Sequence, residues 1–100
     1  MLMNIKQILS VANKHNFAVP AFNVGTCQML KSILECCEKK NAPVILAIHP
    51  KELAFQGDDA MAAIVHAANA SRVPVCIHMD HSSTIEQILH AVRTGFTSVM

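Results

Sequence analysis

The sequence predicts an α/β fold with a parallel sheet, as in the N-terminal portion of a (β/α)8 TIM barrel. Two observations support this prediction. Helix-patterned and strand-patterned segments alternate strictly along the 100 residues, which requires parallel strands joined by right-handed crossovers. The clearest strand segment, residues 44–48, is an unbroken apolar run, as expected for a strand covered on both faces. A small open sheet is the other possible closure.

A complete barrel needs about 250 residues, and this chain has 100. The pattern comprises a leading helix, three βα units and the start of a fourth strand. We therefore expect residues 1–100 to form the N-terminal fragment of a single barrel domain.

The first helix is predicted over residues 4–14, with Asn4 as its N-cap. A strand follows over residues 17–23, and a second helix over residues 26–40 with Thr26 as its N-cap. Both helices carry apolar residues at helical spacing. The predicted buried stripes are Ile5, Ile8, Leu9 and Ala12 in the first helix, and Met29, Leu30, Ile33, Leu34 and Cys37 in the second.

The central third of the chain predicts a second strand over residues 44–48 and a loop over residues 51–57. A third helix is expected over residues 60–70, capped by Asp58 or Asp59. Its inward-facing residues are predicted to be Met61, Ile64, Val65 and Ala68.

The last third predicts a third strand over residues 73–79, then a helix capped by Ser83 or Thr84 in a capping box. Gly95 is a natural residue to end this helix, and residues 97–100 begin a fourth strand. The apolar stripe of the helix is expected to comprise Ile85, Ile88, Leu89 and Val92.

Composition excludes several classes of function. The chain is 52% hydrophobic and 15% charged, with a net charge of +1, which gives no bias toward nucleic acid or a membrane surface. No apolar run reaches the ~18 residues of a membrane span, and no signal peptide is recognisable. The four cysteines do not form a disulfide or zinc-finger pattern, so we expect reduced thiols and a cytoplasmic protein.

Ionisable side chains follow directly on the third predicted strand. His78 and Asp80 share one face because side chains alternate along a strand, and His81 begins the next loop. Catalytic groups of parallel α/β proteins gather at the carboxyl ends of strands. These three residues are therefore the main candidate site, although His78 also suits a packed histidine of the barrel interior.

Five segments in order carry a resemblance to a known family. They are residues 6–9 (KQIL), 18–23 (AVPAFN), 42–46 (APVIL), 78–81 (HMDH) and 95–100 (GFTSVM). Together they resemble the N-terminal part of the class II, zinc-dependent ketose-bisphosphate aldolases, which include fructose- and tagatose-bisphosphate aldolases. The resemblance covers the whole chain.

The resemblance implies roles for four residues. Asp80 would be the catalytic acid/base, taking and returning the proton of the C4 hydroxyl, and His81 would bind the Zn²⁺ cofactor, a Lewis acid. Asn23 would contact the substrate, unless it is a simple turn residue. His49 stands where better-known members carry a small hydroxyl residue that contacts substrate, so it is a further candidate contact.

The implied reaction is cleavage of a ketose 1,6-bisphosphate to dihydroxyacetone phosphate and glyceraldehyde 3-phosphate, in glycolysis or related carbohydrate metabolism. The full-length protein would be a homo-oligomer, a dimer or a tetramer, and the 100 residues alone would be inactive. Two alternatives remain open. One is a non-catalytic barrel fragment that acts as an oligomerising or partner-binding module. The other is a small open-sheet domain with metal-binding or hydrolytic activity.

Overall fold

The computed structural model describes all residues 1–100 and contains one sheet of four parallel strands alternating with four helices. The strands lie in the order β1-β2-β3-β4, so each strand pairs with its neighbours in sequence. The predicted alternation is confirmed. The elements are α1 (Ile5–Lys14), β1 (Ala21–Asn23), α2 (Cys27–Lys40), β2 (Val44–Ile48), α3 (Pro50–Ala70), β3 (Val75–Met79), α4 (Ile85–Thr94) and β4 (Ser98–Val99).

β2 and β3 are buried almost throughout, which explains their continuous apolar sequences, whereas all three residues of β1 are exposed. One face packs against α2, α3 and α4 and forms the larger core. On the other face, Ile8 of α1 packs with Ile45 and Cys76 near the amino ends of β2 and β3. Ala47 and His78 lie on that second face, nearer the carboxyl ends and outside the cluster with α1. The strand residues in the larger core are Val44, Leu46, Ile48, Val75, Ile77 and Met79.

The predicted helix ends are largely confirmed. Asn4 forms a reciprocal capping box with Gln7 at the start of α1. Thr26 and Thr84 cap α2 and α4 by accepting hydrogen bonds from backbone N–H groups three residues on. Gly95 ends α4 in the left-handed region, with φ of 102°. Each cap satisfies backbone groups that the helix itself leaves without partners.

The predicted loop over residues 51–57 is wrong, because α3 begins at Pro50. Proline suits the first helical position since its missing N–H has no partner there in any case. His49 is the N-cap, in place of the predicted aspartates. A break does occur at Gly57, where φ is 79° and ψ is 173°, a conformation that is essentially confined to glycine. The first turns of α3 are therefore a separate short helical segment, residues 50–56.

The first and third strands are shorter than predicted, because each begins after a proline. Pro20 and Pro74 accept ladder hydrogen bonds through their carbonyl groups, from Ile45 N–H at 2.9 Å and from Val44 N–H at 3.0 Å. Neither can donate a hydrogen bond in return. Regular pairing therefore starts at the residue that follows each proline.

Part of the predicted apolar stripe of α4 is exposed. Ile85, Leu89 and Val92 are 71%, 50% and 61% exposed, and Ala91 is the one buried residue of the helix. No other element of residues 1–100 lies over these three side chains. Leu9 of α1 and Met29 of α2 are also exposed, contrary to the prediction.

None of the four helices combines the length and apolar character needed to cross a bilayer.

Candidate functional site

The carboxyl ends of the parallel strands bring the candidate site residues to one edge of the sheet. Ile48 of β2 is in register with Met79 of β3, so His49 and Asp80 directly follow paired residues. The Asp80 N–H donates to the Ile48 carbonyl at 3.0 Å and extends the pairing by one step. Asn23 ends β1 in register with Ala47. The four predicted residues therefore lie on neighbouring strand ends, as the parallel order requires.

Asp80 and His81 form a close pair at this edge. His81 Nε2 lies 3.3 Å from Asp80 Oδ1, and the two side chains are 64% and 24% exposed. His81 has a φ of 92°, and a non-glycine residue held at positive φ carries strain that is common at functional sites. A half-buried carboxylate beside an accessible imidazole can exchange protons with a bound hydroxyl group and offers a nitrogen ligand.

His49 lies against this pair from the neighbouring strand end. Its ring centroid is 5.8 Å from that of His81, and the two ring planes are tilted by 37°. Its Nδ1 accepts a hydrogen bond from the Lys51 N–H at 3.1 Å, which is the N-cap bond of α3. The ring is thus fixed by α3 on one side and packs toward His81 on the other.

A groove of about 430 Å³ opens beside His49. Asn23 and Gly25 line it from the first strand end, and Glu52 lines it from α3. Asn23 is exposed, and its side-chain amide makes no hydrogen bond within the chain, so it can bind a polar ligand. The short segment 50–56 borders the groove, and its last residue, Gln56, donates to the Val24 carbonyl at 3.5 Å.

His78 precedes Asp80 by two residues, and it pairs with Ser98 of β4 in the sheet. Its Nδ1 is 2.8 Å from the Ser98 hydroxyl oxygen. Burial lowers the pKa of His78, and the nearby Asp80 carboxylate partly opposes that shift. His78 is therefore a half-buried residue of β3 that is hydrogen-bonded to Ser98 of β4.

Ser98 is the polar residue that sequence reasoning missed. Ser98 pairs in register with His78, His78 pairs with Ala47, and Ala47 pairs with Asn23, so the four residues form one row across the sheet. The signal was present in the alternation of the fourth strand, where Ser98 takes the same face as His78. To place Ser98 beside His78, the register of β4 against β3 must be known, and a strand of two residues does not specify that register.

The metal-binding capacity of these residues is incomplete. No group of three His, Cys, Asp or Glu side chains is close enough to hold a metal ion, and a catalytic zinc site uses three protein ligands. His81 fits the role of one ligand, since its imidazole is accessible at the strand end.

The largest cavity, of about 660 Å³, lies elsewhere, on the helix side of the sheet between α3 and α4. Met79 lines it, and Met79 alternates with Asp80, so the cavity faces away from the candidate site. Within it, His90 Nε2 contacts Asp58 Oδ1 at 2.8 Å and ties α4 to the start of the second part of α3.

Comparison with known families decides the assignment. The family model described as fructose-bisphosphate aldolase class-II matches residues 3–100. The chain belongs to the class II fructose-bisphosphate aldolase family. The resemblance read from the five sequence segments is confirmed.

Among curated relatives, a fructose-bisphosphate aldolase from Thermus caldophilus is 39% identical over 100 residues, which are 100% of this chain and 33% of that protein. A 6-phospho-5-dehydro-2-deoxy-D-gluconate aldolase from Bacillus licheniformis is 33% identical and is matched by 98% of this chain over 35% of its own length. The chain therefore spans about a third of these relatives.

Solved structures of aldolases have the same fold over these residues. The YdjI aldolase from Escherichia coli K12 superposes with a TM-score of 0.92 at 28% identity, over 100% of this chain and 38% of that one. A putative fructose-1,6-bisphosphate aldolase from Coccidioides immitis gives a TM-score of 0.88 at 27% identity, over 94% of this chain and 38% of that chain. The four-stranded sheet thus corresponds to the N-terminal portion of an aldolase TIM barrel, as predicted.

Proposed function

We propose that the whole protein catalyses zinc-dependent aldol cleavage and condensation of a ketose 1,6-bisphosphate. The products of cleavage would be dihydroxyacetone phosphate and glyceraldehyde 3-phosphate. The observation that carries the proposal is the Asp80–His81 pair, with 3.3 Å between the two side chains at the carboxyl end of β3, in a chain of the class II aldolase family. Residues 1–100 would be the N-terminal part of one barrel domain and inactive alone.

Asp80 is proposed as the acid/base that acts on the C4 hydroxyl group. Cleavage of an aldol requires removal of that proton, and condensation requires its return. A carboxylate can do both if it lies within hydrogen-bond reach of the oxygen. Asp80 suits this role because its carboxylate is half-buried at the strand end, beside the groove-lining His49 and the more accessible His81.

His81 is proposed as one zinc ligand, with the remaining ligands supplied by the rest of the barrel. When bound, zinc supplies Lewis-acid stabilisation of negative charge on the ketone half of the substrate. The imidazole of His81 is 64% exposed at the strand end, so it is accessible to a metal ion.

Asn23 and His49 are proposed as substrate contacts. Both line the same groove of about 430 Å³, next to the Asp80–His81 pair. The free amide of Asn23 can both donate and accept hydrogen bonds. A phosphorylated sugar is rich in hydroxyl and phosphate oxygens, so polar side chains in a groove at the strand ends suit it.

The proposal is tested with the whole protein and two substrates, fructose 1,6-bisphosphate and tagatose 1,6-bisphosphate. Activity should disappear after treatment with a chelator and return on addition of Zn²⁺, because metal binding is reversible. Cleavage that persists in the metal-free protein, or none of either substrate after zinc is restored, would contradict the proposal.

A second substrate class follows from the Bacillus licheniformis relative, which is named as a 6-phospho-5-dehydro-2-deoxy-D-gluconate aldolase. The imidazole of His49 in the groove favours including this class in the assay, because a hydrogen-bond donor suits the carboxylate of a sugar acid. Faster cleavage of the phosphorylated sugar acid than of either bisphosphate would transfer the proposal to that substrate.

A further inference from the structure

The backbone of His81 lies between two hydrogen bonds that run to different strand ends. On one side, the Asp80 N–H donates to the carbonyl of Ile48, the last residue of β2, at 3.0 Å. On the other side, the Ser82 N–H donates to the Met100 carbonyl, beyond the end of β4, at 2.9 Å. His81 itself has a φ of 92°, which a non-glycine residue keeps only where its surroundings enforce it. The conformation that presents this imidazole therefore depends on both neighbouring strands.

The side-chain hydroxyl of Ser82 is buried and has no hydrogen-bond partner among residues 1–100. It is the only buried side-chain nitrogen or oxygen of the chain without one. A buried hydroxyl that makes no hydrogen bond costs free energy, and native proteins provide partners for nearly all such groups. We therefore expect the partner of Ser82 to come from outside these 100 residues.

Two observations favour a partner in the polypeptide that follows β4. First, Ser82 lines neither the groove beside His49 nor the larger cavity between α3 and α4, so neither space offers its hydroxyl a ligand. Second, the Met100 N–H donates to the Met79 carbonyl at 3.0 Å, so pairing with β3 continues up to the residue that Ser82 holds. The chain spans about a third of its relatives, and the backbone groups that follow Met100 in the whole protein are attached to the carbonyl that Ser82 binds.

We propose that Ser82 is a positioning residue for His81, because its N–H holds the loop on β4 and its buried hydroxyl forms a hydrogen bond with the polypeptide that follows Met100. The proposal rests on the proposed function, in which His81 is a zinc ligand, and adds a residue that acts through the backbone of His81. When the hydroxyl bond is lost, the loop can relax from the positive φ of His81. The apparent affinity for zinc then falls with the fraction of molecules that keep the binding conformation.

The effect on the metal site is tested by titration of the metal-free whole protein with Zn²⁺, in the absence of substrate. Ser82→Ala removes one oxygen atom and no other heavy atom, so the variant should fold. We expect its dissociation constant for zinc to rise roughly 3- to 10-fold, the equivalent of one hydrogen bond. An unchanged zinc affinity in Ser82→Ala would overturn the proposal.

Two control variants separate position from composition and stability. Ser83→Ala is the matched control, because Ser83 is exposed and its hydroxyl already donates to Gln87 Oε1 at 3.2 Å. Asn4→Ala removes the N-cap of α1, away from the strand carboxyl ends, and should lower the melting temperature. Both controls should keep the wild-type zinc affinity. If either weakens zinc binding as much as Ser82→Ala does, Ser82 does not act by positioning His81.

Hydrogen exchange reports on the loop without any metal, since local opening exposes a backbone N–H to solvent. In the metal-free whole protein, the N–H of residue 82 should exchange faster in Ser82→Ala than in the wild type, because its bond to the Met100 carbonyl opens more often. Ser83→Ala and Asn4→Ala should leave that rate unchanged. The wild-type rate at residue 82 in Ser82→Ala would contradict a role of the hydroxyl in holding the loop.

The partner of the hydroxyl is identified by a crystal structure of the whole protein. Ser82 Oγ should lie within hydrogen-bond distance of a nitrogen or oxygen atom of a residue that follows Met100. Contact with water or a ligand alone would overturn the proposal. None of these measurements requires turnover. A protein in which Ser82→Ala weakens zinc binding, but which cleaves no ketose bisphosphate, would support this proposal and contradict the proposed function.

Discussion

Neighbouring residues in the sequence have different environments in the site. Asp80 continues the strand pairing through its N–H, whereas His81 adopts a φ of 92° and leaves the sheet. The sequence predicted the place of this pair, directly after a buried strand of a parallel sheet. It could not predict the cap formed by His49 or the partner of His78, since each depends on a rotamer and a register set by other elements.

Glu38 illustrates a residue whose charge joins two elements. Its carboxylate accepts from the Ser71 hydroxyl at 2.8 Å and from the Arg72 N–H at 3.1 Å, so the end of α2 is bonded to the segment after α3. The hydrogen bond from Ser71, followed by that from Arg72, lowers the pKa of Glu38 below its usual 4.5. A carboxylate with a lowered pKa stabilises the fold above pH 4.5, and this contribution is lost as the pH falls through the lowered value.

We predict that Glu38→Gln reduces the loss of stability below pH 4.5, because glutamine keeps the shape and does not titrate. The free energy of unfolding is measured by urea denaturation between pH 7 and pH 3. Glu35→Gln is the charge control, since Glu35 lies on the same helix and contacts Lys31 at 3.9 Å, away from Ser71. An equal pH dependence in the two variants would contradict this account of Glu38.

At the scale of elements, the sequence predicted helix ends and strand bounds correctly where nearby residues determine them. Thr26 and Gly95 act as predicted, and β2 has the predicted bounds of Val44–Ile48. Thr84 caps α4 without the predicted capping box, because the Gln87 side chain accepts from the Ser83 N–H at 2.7 Å. The segment 50–56 was missed because Gly57 was interpreted as part of a loop, whereas it separates two helical pieces. A proline at the first helical position after a histidine cap is a weaker signal than the usual serine or threonine cap.

Gly95 combines two requirements at the end of α4. Its φ is 102°, and a Cβ at this position would lie 2.8 Å from Cγ2 of Val65 on α3. We predict that Gly95→Ala destabilises the fold by about 1–3 kcal/mol, from the backbone conformation alone, with a further cost from the contact with Val65. Urea denaturation measures the loss.

A double-mutant cycle with Val65→Ala separates the two causes. Removal of the Val65 methyl groups should make Gly95→Ala less costly than in the wild-type background. The same cost in both backgrounds would contradict a steric contribution from Val65.

At the scale of the whole molecule, the parallel order was predictable because helices and strands alternate without exception. How the barrel closes was not, because residues 1–100 cover 38% of the YdjI aldolase chain. The exposed apolar residues of α4 also could not be predicted from the sequence of residues 1–100. Their helical spacing predicts burial, yet burial of a stripe depends on a partner element as well as on periodicity.

We predict that residues 1–100 in isolation self-associate through α4, because apolar side chains exposed together favour association. Sedimentation velocity over a concentration series should show a rising average mass. Replacing Ile85, Leu89 and Val92 with glutamine should reduce it, whereas glutamine at Leu9 and Val11, exposed residues of α1, should have a smaller effect. A monodisperse wild-type monomer with cooperative unfolding would contradict this prediction and favour a small independent domain.

The central claim is that Asp80 transfers the proton and His81 holds the metal. It is tested most directly by Asp80→Ala in the whole protein, with zinc content, bisphosphate cleavage and tritium exchange from dihydroxyacetone phosphate measured on one sample. We predict that zinc stays bound, that cleavage falls by at least ~10²–10⁴-fold, and that slow exchange persists, because proton removal from the ketone half uses another base. His81→Ala, the comparison, should lose zinc and both activities. Loss of zinc from Asp80→Ala, or cleavage at a near-normal rate, would contradict the claim.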